Sequence, residues 1–129
     1  YNYILQEEAA INYGIIHALD GYDEISLTSA FKIFTKKGEQ LITPESLGKK
    51  RIQQSEIFGG NSVADAAKIF KTIIEGNGTE AQNNVVLTNA AFALKIVDDS
   101  KTFETAYAEA EASLLGLKAK QTLEKLISI

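Results

Sequence analysis

Ile15-Ile16-His17-Ala18-Leu19-Asp20-Gly21-Tyr22-Asp23-Glu24-Ile25-Ser26-Leu27-Thr28 is the stretch on which the fold turns. Tyr13 to Leu19 reads as one apolar run, predicting a strand of the kind that lies in a sheet covered on both faces. Asp20-Gly21 supplies a turn. Asp23 and Glu24 then stand side by side on a loop at the strand's end. Carboxylates are hard oxygen donors, the type Mg²⁺ prefers. On spacing alone a solvated surface pair is the plainer reading, because acidic residues are common at exposed turns.

Outward from this run, Tyr1 to Ala10 reads as the tail of a helix, with Tyr3-Ile4-Leu5 apolar and Gln6-Glu7-Glu8 wet. Downstream, Phe31 to Thr35 and Glu39 to Thr43 flank Lys36-Lys37-Gly38, a hairpin signal that Pro44 ends. Periodicity fades from Glu45 to Gly60, a loop region with room for a short helical turn. Asn61 or Ser62 then caps a helix from Val63 to Glu75, with Ala66, Ala67, Phe70, Ile73 and Ile74 in one apolar stripe, stopped by Gly76-Asn77-Gly78. The helix from Ala81 to Ile96 is apolar nearly all round, which predicts burial on more than one side by parts a longer protein supplies, and self-association of the piece alone. Ser100 or Thr102 opens a further helix, with Phe103, Ala106, Tyr107, Ala110 and Leu114 inward. Gly116 interrupts it, and a last helix runs from Leu117 to Ser128. The expected fold is α/β and helix-rich, with a strand, a β-hairpin and four to five helices.

The 129 residues suffice for one domain core and leave no room for two. Hydrophobic content of 45% and charged content of 23% are globular values, and a net charge of −4 gives no electrostatic reason to expect nucleic acid or an anionic membrane as partner. No apolar stretch approaches the ~20 residues of a membrane span. The absence of Cys excludes disulfides and thiolate metal sites and fits a cytoplasmic protein. There is no Met, and Tyr1 opens inside a predicted helix, so the chain is expected to be a piece of a longer protein.

Three stretches resemble the anthranilate phosphoribosyltransferase family in order and spacing. They are His17 to Thr28, Pro44-Glu45-Ser46-Leu47-Gly48 with Gly59-Gly60 before a helix, and Val85-Val86-Leu87-Thr88-Asn89-Ala90-Ala91-Phe92-Ala93-Leu94. Ala106 to Ala119 is similar more loosely. Ser29 stands where the family usually has Gly, Val63-Ala64-Asp65 replaces a more typical acidic-Asn helix start, and the small-residue break before the last helix is spread over Ser113 to Gly116. The family's Gly-Thr-Gly-Gly-Asp phosphate loop and Lys-His-Gly segment are missing. The resemblance therefore implies that residues 1–129 are the C-terminal part of a phosphoribosyltransferase/nucleoside phosphorylase-like α/β catalytic domain, without the N-terminal helical domain through which the family forms homodimers.

The resemblance further implies an enzyme that transfers the phosphoribosyl group of phosphoribosyl pyrophosphate to anthranilate in tryptophan biosynthesis. Asp23 and Glu24 would be its Mg²⁺ ligands, direct or through water, with no acid–base role. Alone, the piece is expected to be inactive and to bind Mg²⁺ weakly. The alternatives are a non-catalytic α/β module that needs its N-terminal partner, or a related nucleoside phosphorylase-like protein. His17 either points toward the diphosphate or is a half-buried strand residue with a backbone partner. Asp20 either positions the acidic loop or makes an Asx-type turn. Gly59-Gly60-Asn61 reads as helix capping rather than a phosphate site, Lys49-Lys50-Arg51 as solvated charge, and Asn89 as a structural residue with a hydrogen-bond partner.

Overall fold

The computed structural model describes residues 1–8 and 10–129. The chain runs α1 (Asn2–Gln6), β1 (Ile15–Ala18), β2 (Phe31–Thr35), β3 (Gly38–Ile42), α2 (Val63–Ile74), α3 (Glu80–Val97), α4 (Phe103–Leu115) and α5 (Lys118–Ile127), with single 3₁₀ turns at Glu45–Leu47 and Gln54–Ile57. The three strands form one antiparallel sheet in the order β1-β2-β3. This is the helix-rich α/β arrangement expected from the sequence.

The hairpin forms as its pattern dictates, with Thr35 opposite Gly38 and Phe31 opposite Ile42. Alternation along β2 sends Phe31 and Ile33 into the core and leaves Lys32 and Phe34 on the other face. On β1, Ile16 and Ala18 point the same way as the core, so His17 is exposed opposite Lys32. Two expectations are corrected here. Among the described residues β1 is an edge strand, not a strand covered on both faces, and His17 is not half-buried. The predicted N-terminal helix shortens to α1, which buries no side chain; Ala9, within the predicted span, lies outside the described residues.

The core lies between the sheet and the α3–α4 pair. Ala18, Ile25, Leu27, Phe31 and Ile33 meet Ala91 and Phe92 of α3 and Phe103 and Ala106 of α4. An aromatic chain runs through it, with Phe31–Phe92 centroids 5.4 Å apart edge to face and Phe92–Phe103 at 5.6 Å. A second, smaller cluster joins Leu87, Ala110 and Leu114. Thr79 and Gln82 form a reciprocal capping box at the start of α3, and Thr102 caps α4.

α3 buries Ala81, Leu87, Thr88, Ala91 and Phe92 within this chain rather than against parts supplied from outside it, and leaves Val86 exposed. α2, by contrast, is largely uncovered. Ser62 caps it, its side chain accepting from the Asp65 amide at 3.1 Å, and Gly60 allows the approach: with φ +90 its backbone is left-handed, and a Cβ there would meet Asp65 Cβ at 2.4 Å. Yet no residue of α2 is buried, and Phe70 is 52% exposed. The apolar stripe read from periodicity is covered at its C-terminal end, where Ile73 packs against Leu87, Ala110 and Leu114, and is open to solvent at Phe70.

Candidate functional site

Residues 20–28 leave the end of β1 and fold into a braced loop. Asp20 braces its first half. Ser26 Oγ donates to Asp20 Oδ2 at 3.0 Å, the Thr28 hydroxyl donates to the same oxygen, and the two hydroxyls lie 2.9 Å apart. Burial pushes the Asp20 carboxyl up, but the Thr28 and Ser26 hydroxyls and the amides of Asp20 and Tyr22 outweigh it and hold the group below its usual value of 3.8. Through Oδ2 the Asp20 carboxylate ties the loop's two ends, while its Oδ1 is buried without a hydrogen-bond partner among the described residues.

The second half of the loop is buried. Ile25 and Leu27 are fully enclosed, and Ser26 between them is also buried. Leu27 has φ 61, the left-handed region that side chains rarely occupy, and its carbonyl accepts from the Ile52 amide at 3.1 Å. Asn89 of α3 accepts from the Ile25 amide at 3.0 Å and donates to the Ile25 carbonyl at 2.8 Å, which gives this residue the partner its place in an apolar helix demanded.

Asp23 and Glu24 project from the free side of this loop, both exposed. Among the described residues, no group of three or more His, Cys, Asp or Glu side chains is placed to hold a metal ion. Two exposed carboxylates without a third protein ligand suit an ion that takes one or two carboxylates and completes its shell with water and substrate oxygens, which is the habit of Mg²⁺. They do not suit a closed four-ligand zinc site.

Two clefts lie elsewhere. One, about 440 Å³, runs between residues 48–52 and the start of α3 and includes Lys49, Arg51, Glu80 and Asn84 in its wall. The other, about 260 Å³, lies over Tyr13, Ile33, Phe92 and Ile96. Neither is lined by Asp23 or Glu24. The expectation of three merely solvated basic residues is corrected at Lys49. Its ammonium sits 3.5 Å from the centroid of the Tyr107 ring and 3.4 Å from Asn84 Oδ1, which also accepts from the Tyr107 hydroxyl at 2.7 Å. Arg51 pairs with Glu45 at 3.2 Å, while Lys50 is exposed. At Gly59-Gly60-Asn61 the capping reading holds, since Asp65 Oδ2 accepts from Asn61 N at 3.3 Å and Ser62 Oγ at 2.8 Å.

The sequence marks Asn89 as in need of a partner but does not name Ile25, and nothing in it marks Leu27 as left-handed. Asn89 carried the only available signal, as a polar residue in an apolar helix face.

Comparison with known proteins gives a consistent picture. The family described as glycosyl transferase family, a/b domain, matches residues 5–119. The anthranilate phosphoribosyltransferase of Bacteroides fragilis (strain YCH46) is 48% identical over 129 residues, which is 100% of this chain and 39% of that protein. That of Flavobacterium psychrophilum is 44% identical over 126 residues, or 98% and 38%. The chain thus spans about two fifths of the length of the curated relatives it matches. Among solved structures, anthranilate phosphoribosyltransferase from Thermus thermophilus superposes with a TM-score of 0.76 at 22% identity, covering 89% of this chain and 34% of that one. The Saccharomyces cerevisiae enzyme in complex with PRPP and Mg gives 0.73 at 17%, covering 86% and 32%. At those identities the structural matches speak to the fold.

Proposed function

The chain belongs to the glycosyl transferase family, a/b domain, and from that membership we propose that residues 1–129 are the C-terminal segment of an anthranilate phosphoribosyltransferase catalytic domain. The observation that carries this reading is 48% identity over the full 129 residues of this chain to a protein of that name. In the proposed reaction the anthranilate nitrogen bonds to C1 of the ribose as the C1–oxygen bond breaks and pyrophosphate departs. The leaving diphosphate accumulates negative charge as that bond lengthens.

Asp23 and Glu24 are the groups this chain brings to the reaction. Their exposure lets both carboxylates reach a substrate seated outside the loop, and their charge attracts a divalent ion to that side. Bound Mg²⁺ would supply Lewis-acid stabilisation of the departing diphosphate. The carboxylates hold and orient, directly or through water, and move no proton. Phosphoribosyl pyrophosphate, anthranilate, homodimer formation and a cytoplasmic setting belong to the whole protein under this reading. A span of 39% of its relative supports a second reading of the isolated chain, as an α/β piece inactive without its N-terminal partner.

Anthranilate consumption with phosphoribosyl pyrophosphate and Mg²⁺, followed by anthranilate fluorescence, tests both. The chain is assayed alone and mixed with the N-terminal portion of a matching enzyme. Turnover only in the mixture, lost on Asp23→Asn with Glu24→Gln, is the expected result. Association of the halves without turnover would show the substrate assignment to be wrong.

A further inference from the structure

The backbone of one residue beside the carboxylate pair is held on both its N–H and its C=O by a side chain 64 residues away. Asn89 accepts from the Ile25 amide at 3.0 Å and donates to the Ile25 carbonyl at 2.8 Å, while its other amide proton goes to the Val85 carbonyl at 2.9 Å. Its oxygen and both protons are therefore in use. The Val85 bond fixes the side chain to its own helix, and the other two fix Ile25 to that side chain. In effect Asn89 pairs with Ile25 as a neighbouring strand would, at a point where no strand runs.

The fixed residue directly follows Glu24. Its side chain is 0% exposed, so Ile25 is held by packing as well as by its backbone. The chain then passes through the left-handed Leu27, anchored by Ile52, and returns to the hydroxyls bound by Asp20. Each brace lies on the buried side of the loop, and the exposed carboxylates are the part left free to take a ligand.

We infer that Asn89 is a positioning residue for the Asp23–Glu24 pair, registering the acidic loop on α3 so that both carboxylates are ordered before a Mg²⁺–diphosphate ligand arrives. The inference rests on the metal-binding reading proposed above. A loop ordered in advance does not spend binding free energy on its own immobilisation, and residues that orient metal ligands typically matter about 10–100-fold in metal affinity.

The test uses the full-length protein containing this chain, with Asn89→Ala and Asn89→Asp. The aspartate keeps the side-chain volume and the acceptor for the Ile25 amide but sets a carboxylate oxygen against the Ile25 carbonyl, and it serves if the alanine variant does not fold. Leu87→Ala is the control: Leu87 lies on the same helix, is 3% exposed, and packs on Ala110 and Leu114 away from the loop. Two quantities are read: amide hydrogen exchange of residues 20–27 by mass spectrometry, and the Mg²⁺ concentration that half-saturates phosphoribosyl pyrophosphate binding by calorimetry. Both Asn89 variants should speed exchange in that segment and raise the Mg²⁺ requirement about tenfold or more. Leu87→Ala should lower thermal stability and change neither. Wild-type exchange and Mg²⁺ dependence in the Asn89 variants, or the same shifts in Leu87→Ala, would overturn the inference. Unchanged Mg²⁺ dependence in Asp23→Asn with Glu24→Gln would instead sink the metal reading, and this inference with it.

Discussion

Asp20 and Ser26 close the acidic loop on itself, with Ser26 Oγ donating to Asp20 Oδ2 at 3.0 Å and Thr28 adding its hydroxyl to the same oxygen. Hydrogen bonds to a charged acceptor contribute about 1.5–3 kcal/mol, so Asp20→Ala should destabilise the chain by roughly that amount. The pH dependence follows from the direction of the shift. Burial raises the Asp20 carboxyl, but the hydroxyls and local amides outweigh it and lower the folded-state value below 3.8. A group depressed on folding contributes stability that is fully present above its unfolded value and is lost as pH falls through the folded one. Urea midpoints for wild type and Asp20→Asn should stay a constant distance apart from pH 7 to about pH 5 and converge below about pH 4. A gap that persists at pH 2 would mean that the carboxylate charge contributes nothing.

Thr88 is 0% exposed, and its hydroxyl has no hydrogen-bond partner among the described residues. A buried hydroxyl without a partner costs about 1–3 kcal/mol of desolvation. Thr88→Val removes it with nearly the same shape, so the variant should be more stable by about 1 kcal/mol, and circular dichroism should show unchanged helix content. A less stable Val variant would show that the hydroxyl is bonded in solution, for example to a carbonyl one turn back.

The break that Gly116 marks between α4 and α5 is shared between two residues. The left-handed residue is Leu117, at φ 58, while Gly116 has φ −79. What Gly116 provides is space, since a Cβ there would lie 2.5 Å from the Ala112 carbonyl oxygen. Gly116→Ala should therefore cost about 1–3 kcal/mol in denaturant titrations despite the lower chain entropy of alanine. A gain instead would mean the last turn of α4 can open without loss.

Local chemistry was legible in the sequence and distant pairing was not. The hairpin follows from alternation and Lys36-Lys37-Gly38, the caps at Ser62 and Thr102 from residue type, and the loop that carries Asp23 and Glu24 from a turn after an apolar run. Lys49 meets Tyr107 and Asn89 meets Ile25 across long stretches of intervening chain, and no one-dimensional pattern encodes such a meeting. His17 was misplaced because an apolar run does not say which of its residues faces the core. For α2, periodicity identifies the apolar face but cannot say that this chain covers only its Ile73 end and leaves Val63 and Phe70 uncovered.

That uncovered face sets the behaviour expected of the 129-residue chain in isolation. Val63 is 87% exposed and Phe70, two turns along the same face, is more than half exposed. Contiguous apolar surface of this kind drives association. Static light scattering should give a mass that rises with concentration, and Phe70→Glu with Val63→Ser should shift it toward the monomer. Both positions are solvent-facing, so helix content should be unchanged. Ile73 is left alone because it packs on the Leu87–Ala110–Leu114 cluster, where a charge would unfold rather than solubilise. A wild-type chain that stays monomeric at every concentration and melts sharply would show that α2 needs no partner, and that its apolar stripe is tolerated in water.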